Sequence, residues 1–392
     1  MKWAVSTEEI CKMKYPSPLF LMLIGLMVCW ASCKETTDDM TGQPPVHPEL
    51  IEFVNLPEDF RIHSFAEAVE GARSVVVSDS GWVFVGTRAA GKVYALKDLD
   101  GDLQSDTMIT LVEGLQQPNG VALYHDDLYI AEISKVWRIP DIAHKIPEQW
   151  NVELVYDALP TETHHGWRYI KFGPDEKLYI AIGAPCNVCL ESDERFATIC
   201  RMNPDGSEFE VVHSGIRNSV GFDWHPESCY LWFTDNGRDW LGDDLPACEL
   251  NVARNDQQHY GFPFCHQGDL PDPDFGSQAD CDQFSPPALK LGPHVAPLGL
   301  TFLYKAQVPT SYKDKVLIAE HGSWNRSTPI GYRLSMTSVD STEAGTYEIF
   351  ADGWLDGTDK KGRPVDLELY TDGSILLTDD FAHRVYRIYY ED

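Results

Sequence analysis

The chain has 392 residues, with 61 acidic against 31 basic side chains and a formal net charge of −30. That balance excludes nucleic acid as a partner, because phosphate contacts need a clustered positive face. The length would suit roughly two or three average domains, but a closed ring of repeats spends it on a single one. The acid excess serves solubility or a calcium-rich extracellular setting.

From the N-terminus, Leu19 to Cys33 (LFLMLIGLMVCWASC) is an apolar run of about a dozen residues, short of the ~20 that span a bilayer. It predicts an export signal over residues 1–33. Ala31 and Ser32 before Cys33 resemble a lipoprotein cleavage site, with Trp30 where that pattern has an aliphatic residue. The expectation is an exported, periplasmic or outer-membrane-anchored lipoprotein carrying its lipid on Cys33. Residues 34–55 are polar and Pro-containing and predict a tether, leaving 56–392 as the folded domain.

That domain repeats one phrase six times: a strand ending in an acidic or glycine turn, then a second strand. The phrase reads SDSGWVFVGT from Ser78, YHDDLYIAE from Tyr124, FGPDEKLYIAIG from Phe172, WHPESCYLWFTDNG from Trp224, YKDKVLIAEHG from Tyr312 and YTDGSILLTDD from Tyr370. A third strand follows several of them, as in KVYALKD at Lys92, KVWRIPD at Lys135, TICRMNPD at Thr198 and RVYRIYY at Arg384. Apolar residues alternate with period two or cluster in short runs, and amphipathic helix is nearly absent. A repeat of roughly 45 to 60 residues with several short strands per unit is the signature of an all-β, six-bladed β-propeller. Phe60–Ala66 precedes the first phrase and is expected to supply the outer strand of the last blade. Residues 238–298, rich in Pro, Asp and Gly, read as a long loop over one mouth of the ring.

Of ten cysteines, Cys11, Cys29 and Cys33 fall in the leader, leaving seven. Export favours disulfides, and the expected pairs are Cys186 with Cys189, Cys265 with Cys281, and Cys229 with Cys248, with Cys200 a small buried apolar residue. A structural staple is preferred for Cys186–Cys189 over a redox or zinc half-site, since the chain has no second CxxC. Leu190, where covalent haem attachment needs His, argues against haem.

The innermost strand of a blade starts at the central channel, so polar residues just before each phrase face a shared site. These are Gln116, Gln117 and Asn119; His164, His165, Trp167 and Arg168; Arg217 and Asn218; His294; and Arg363. The inner-strand exits Thr234–Trp240 and His321–Arg326 join them. Several cationic side chains converging with histidines suggest recognition of a compact anionic group.

The segments HHGWRYIKFGPDEKLYIAIG, GIRNSVGFDWHP, LWFTDNGRDWLGDD, HYGFP, PHVAPLGLTFLY, HGSWNRS and GRPVDLELYTDG resemble the glucose/sorbosone dehydrogenase family, in that family's order, over most of residues 60–390. The resemblance is strongest to the sorbosone and pyranose dehydrogenase branches. It implies a six-bladed propeller that uses pyrroloquinoline quinone and Ca2+ to oxidise a sugar or sugar aldehyde. His165 matches the general base; an imidazole with pKa near ~6.5 suits removal of a hydroxyl proton. Arg217 and Asn218 match the pair that stabilises the reduced quinone, and Gly237 and Arg238 the residues whose backbone carbonyls bind calcium. Arg363 matches a partner of a cofactor carboxylate. Gln117, His164, Arg168, His294, His321 and Arg326 complete the expected cofactor surroundings.

The chain departs from the family in three places. His164 stands where the glucose-oxidising branch has an acid, Val365 where it has a second arginine, and the expected lysine is replaced within HGSWNR, by Arg326 or His321. With no haem motif, electrons are expected to pass to an external acceptor. Two other readings share the fold: a calcium-dependent lactonase-type hydrolase, and a non-catalytic surface-binding propeller.

Overall fold

A computed structural model describes residues 48–391. The expected signal, the lipid site at Cys33 and most of the expected tether lie outside these residues. Its last part, Leu50–Asn55, packs on the ring: Val54 is buried, and Asn55 donates to the Asp352 carboxylate at 2.7 Å.

Six four-stranded antiparallel sheets form the blades of a propeller. Listed from the channel outward, blade one is Ala72–Val77, Val83–Thr87, Lys92–Lys97 and Thr107–Glu113; blade two is Gly120–Tyr124, Asp127–Ala131, Val136–Ile139 and Glu153–Tyr156. Blade three is Ile170–Phe172, Leu178–Ile182, Thr198–Met202 and Glu210–Ser214; blade four is Phe222–Trp224, Leu231–Asp235, Ala247–Ala253 and Leu289–Pro293. Blade five is Pro297–Phe302, Lys315–Glu320, Arg333–Ser338 and Glu348–Ala351. Blade six takes Pro364–Leu369, Ile375–Asp379 and Arg384–Tyr390 from the C-terminus and its outer strand, Phe60–Ala66, from the N-terminal side. The one α-helical turn among the described residues is Ile142–Lys145.

Burial explains the strand patterns. Second strands such as Val83–Thr87, Leu178–Ile182 and Leu231–Asp235 are buried at every position, because each lies between two neighbouring blades and needs apolar or paired side chains on both faces. The outer strand Thr107–Glu113 alternates instead, one face covered and the other wet. Apolar clusters fill the wedges between blades; the one between blades five and six joins Ile62, Leu317, Leu334, Trp354, Leu377 and Ile388.

The channel is plugged in layers. Val220, Leu298 and Val365, from blades four, five and six, pack together against Trp167. Val365 is thus part of an apolar floor. Farther along the inner strands of blades three, four and six, the Lys171 ammonium lies 3.2 Å from Asp223 and 3.4 Å from Glu368. Blades six and one are sewn together by Asp366, whose carboxylate accepts from Ser74 Oγ and the Val75 amide at 3.1 and 3.0 Å.

Two expectations are corrected. Residues 238–298 are not one long loop, because they hold the third and fourth strands of blade four around an inserted hairpin, Cys265–His266 with Leu270–Pro271. Cys186–Cys189 and Cys265–Cys281 are bonded and Cys200 is free and buried, but Cys248 is also free and buried. Cys229 is disulfide-bonded, though not to Cys248.

Ring closure rests on one strand pairing, Phe60–Tyr390 through Ala66–Val385, with Ile62 opposite Ile388. Ile62→Ala is expected to cost about 3 kcal/mol, the range for a buried large-to-small change, read from the denaturant midpoint. Met108→Ala, on the half-exposed outer strand of blade one, should stay within about 1 kcal/mol. Equal losses would show that closure carries no special load.

Candidate functional site

Where the inner strands begin, the ring opens into a cavity of about 330 Å3, the size of a small-molecule site. Two kinds of segment build most of it, with Cys248 added from the third strand of blade four. The starts of inner strands supply Arg73, His164, His165, Trp167, Arg217, Asn218, His294, Leu298 and Arg363; the segments after second strands supply Arg88, Asn236, Gly237, Asp239, His321, Trp324 and Asn325. Thr234–Trp240 and His321–Arg326 therefore follow second strands, not the innermost ones. Leu298 brings the apolar plug into the cavity floor.

His165 is 8% exposed and sits in the left-handed backbone region at φ 48°, a conformation that costs a non-glycine residue energy and gathers at functional sites. Its Nδ1 lies 2.8 Å from the Ala184 carbonyl; as donor there, it leaves the Nε2 lone pair free to accept a proton. Burial, then the neighbouring Arg217 and His164, lowers its pKa to about 2. The imidazole is thus neutral at ordinary pH, and an anionic occupant of the cavity would strengthen it as a base. Gly183 makes this arrangement fit: a Cβ there would lie 2.7 Å from His165 Cβ and 2.8 Å from Asn218 Oδ1.

The Arg217 guanidinium donates from Nε to the Asn187 carbonyl at 2.8 Å, from Nη1 to the Asn236 carbonyl at 3.1 Å and from Nη2 to Asn187 Oδ1 at 2.9 Å. Asp235 clamps the backbone, its carboxylate accepting from the Arg217 and Asn218 amides at 2.9 and 2.7 Å. Opposite, Asp380 accepts from Arg73 Nη1 at 3.0 Å and lies 2.8 Å from His321 Nε2. Burial pushes the Asp380 carboxyl upward, but His321, Arg73 and Arg363 outweigh it and hold the group well below the usual carboxylate range.

Charge in the cavity is unbalanced. Arg73 is paired with Asp380 and Arg217 with Asp239. Among the described residues, Arg363 donates only to the His321 and Gly322 carbonyls, both at 3.0 Å, while Arg88 lies over the Trp167 ring at 4.5 Å. Burial, with the nearby Arg73 and Arg363, lowers the Arg88 pKa. The buried Trp167 Nε1 has no hydrogen-bond partner, an unmet donor that an occupant would satisfy.

Of the expected residues, His164, His165, Arg217, Asn218, Gly237, His294, His321 and Arg363 meet in the cavity, and Gln117, Arg168, Arg238 and Arg326 do not. Arg168 is buried in the seam between blades, donating to the Ile133 and Pro160 carbonyls at 2.9 and 2.7 Å. Gln117 sits in a left-handed turn with its Oε1 buried. The Arg238 guanidinium turns to Asp272 and Asp274, and Arg326 pairs with Asp244 at 3.1 Å. Of the two residues of HGSWNR expected there, His321 lines the cavity and Arg326 does not. Sequence reading missed Arg73, Arg88 and Asp380. Arg88 and Asp380 follow second strands in blades one and six, as His321 does in blade five, so the same rule applied to every blade would have found them.

If Gly183 is what lets His165 and Asn218 approach, Gly183→Ala should cut catalytic efficiency at least tenfold while the melting temperature moves only a few degrees. Unchanged kinetics would show that the two side chains need not be held so closely.

Residues 54–389 match the family described as TrAA12-like. An uncharacterized protein of Borreliella burgdorferi is 34% identical over 359 residues, covering 88% of this chain and 92% of that protein. Among solved structures, the holo form of the pyranose dehydrogenase PQQ domain from Coprinopsis cinerea aligns with a TM-score of 0.73 at 17% identity, over 88% of this chain and 98% of that one. A calcium structure of the Trichoderma reesei AA12 enzyme aligns with a TM-score of 0.71 at 18% identity, over 89% and 99%. These two establish the shared ring. The family match spans all six blades and the closing strand, and the chain belongs to the TrAA12-like family.

Proposed function

We propose that this protein is a pyrroloquinoline quinone-dependent sugar dehydrogenase assisted by calcium. The observation that carries the reading is the cavity charge: four arginines and four histidines meet two carboxylates, and among the described residues Arg88 and Arg363 have no carboxylate partner. A polycarboxylate cofactor fits that excess, and the unmet Trp167 N–H fits a polar ring system. The holo pyranose dehydrogenase and the calcium-containing AA12 structure on the same ring lend support.

Arg88 and Arg363 would hold cofactor carboxylates, and Arg217 with Asn218 would face its reactive oxygens. Gly237 sits in the cavity wall beside Asn236 with Asp235 buried behind, an oxygen-rich setting suited to a hard cation. When bound, the quinone supplies the acceptor for the hydride leaving the sugar carbon, and calcium polarises it. The chain's own part is to bring the sugar hydroxyl to His165 Nε2, which takes the proton while Arg217 stabilises the developing negative charge. Trp240 and Trp324, 67% and 66% exposed with ring centroids 5.5 Å apart, stand at the mouth; their apolar faces suit the C–H face of a pyranose ring. Electrons then leave to an external acceptor, and the protein works outside the cytoplasm, held by the lipid at Cys33. A lactonase-type hydrolase would need carboxylates converging in the cavity, which presents mainly arginine and histidine.

The test strips the protein with chelator, restores calcium and quinone, and follows dye reduction across a panel of aldoses. Turnover should require both additions, and His165→Ala should lower kcat about 10³-fold with quinone binding retained. A variant that lost binding yet turned over normally at saturation would overturn the base assignment.

A further inference from the structure

The wall behind Arg217 is the short loop closed by the Cys186–Cys189 disulfide. It follows the second strand of blade three, and its residues touch both groups placed at the chemistry. The Ala184 amide donates to the Arg217 carbonyl at 2.8 Å, and the Ala184 carbonyl lies 2.8 Å from His165 Nδ1. Three residues on, Asn187 takes up the guanidinium edge. Its carbonyl accepts from Arg217 Nε and its Oδ1 from Arg217 Nη2, at 2.8 and 2.9 Å. The same Oδ1 accepts from the Asp239 amide at 2.9 Å, and Nδ2 donates to the Asp239 carbonyl at 3.2 Å.

This geometry matters because a competing partner is within reach. The Asp239 carboxylate already lies 3.3 Å from Arg217 Nη2, and a carboxylate takes a guanidinium in preference to a neutral amide when it can do so with two parallel bonds. Asn187 occupies the edge that such a fork would use and holds the Asp239 backbone at the same time. The Asp239 contact therefore stays a single one instead of becoming a two-bond fork, and the guanidinium keeps its place beside the cavity.

We propose that Asn187 is a positioning residue for Arg217, and that the Cys186–Cys189 disulfide fixes the loop that presents it. The consequence for turnover rests on the dehydrogenase reading above; the positioning itself does not. Asn187→Ala should lower kcat about tenfold while leaving the sugar KM within threefold and the melting temperature within a few degrees. The Cys186→Ser/Cys189→Ser double variant should show a smaller loss of the same kind. In an Arg217→Lys background, Asn187→Ala should add almost nothing, since residues acting through one another are not additive.

A second readout needs no cofactor. The Arg217 Nε–H resonance of the apo protein, assigned by its loss in Arg217→Lys, should exchange slowly with solvent and become fast in Asn187→Ala. If the wild type shows no quinone-dependent turnover, the dehydrogenase reading falls and this resonance still decides the positioning. A resonance unchanged by Asn187→Ala, or kinetic losses that multiply fully with Arg217→Lys, would overturn the proposal.

Discussion

A protein with a net charge of −30 has gathered four guanidinium groups around one cavity and, among the described residues, given carboxylate partners to two of them. Collecting like charges in a partly dry funnel is costly, and each group left without a partner adds to the cost. The arrangement makes physical sense when an anion completes it. Much of the local architecture follows from that demand: the Asp380 bridge between Arg73 and His321, the carbonyls that hold Arg363, and the Trp167 face under Arg88. Each holds a cation in place without cancelling all of the positive field.

The ring makes such a collection cheap to build. Every blade delivers two chain segments to the same mouth, one entering the inner strand and one leaving the second, so six repeats give a dozen places to put a polar side chain. Below them the Val220–Leu298–Val365 layer closes the channel, and the Lys171 cluster beyond it ties blades three, four and six. The cavity is thus a closed pocket, not a pore, and its dielectric is set by an apolar floor. Val365 is packed in that floor, while Arg73 and Arg88 bring two guanidinium groups to the cavity from blade one.

The sequence made the fold readable because its repeat is local. Each phrase carries its own turn and its own period-two pattern, and Phe60–Ala66, which precedes the first phrase, takes the expected place as outer strand of the last blade. The site was readable where polar residues directly precede an inner strand, as at His165, Arg217 and Arg363. It was less so where side-chain direction decides. Arg168 and Arg238 stand beside cavity residues in sequence, but their long side chains turn to the Ile133 and Pro160 carbonyls and to Asp272. The Cys229–Cys248 pairing failed because nearness in sequence does not bring two positions together: Cys229 lies in the turn between the first two strands of blade four, and Cys248 in its third strand beside the cavity. Asn187 gave no signal at all, because its importance lies in contacts to residues thirty and fifty-two positions away.

The central claim is that the excess positive charge of this cavity exists to bind an anionic quinone. Equilibrium titration of calcium-loaded apo protein with pyrroloquinoline quinone, followed by quenching of tryptophan fluorescence and repeated with Arg88→Ala/Arg363→Ala, measures it directly. The account predicts one site per chain at micromolar or tighter affinity, weakened at least a hundredfold in the double variant. Absence of binding at micromolar quinone, or binding indifferent to the loss of both arginines, would contradict it.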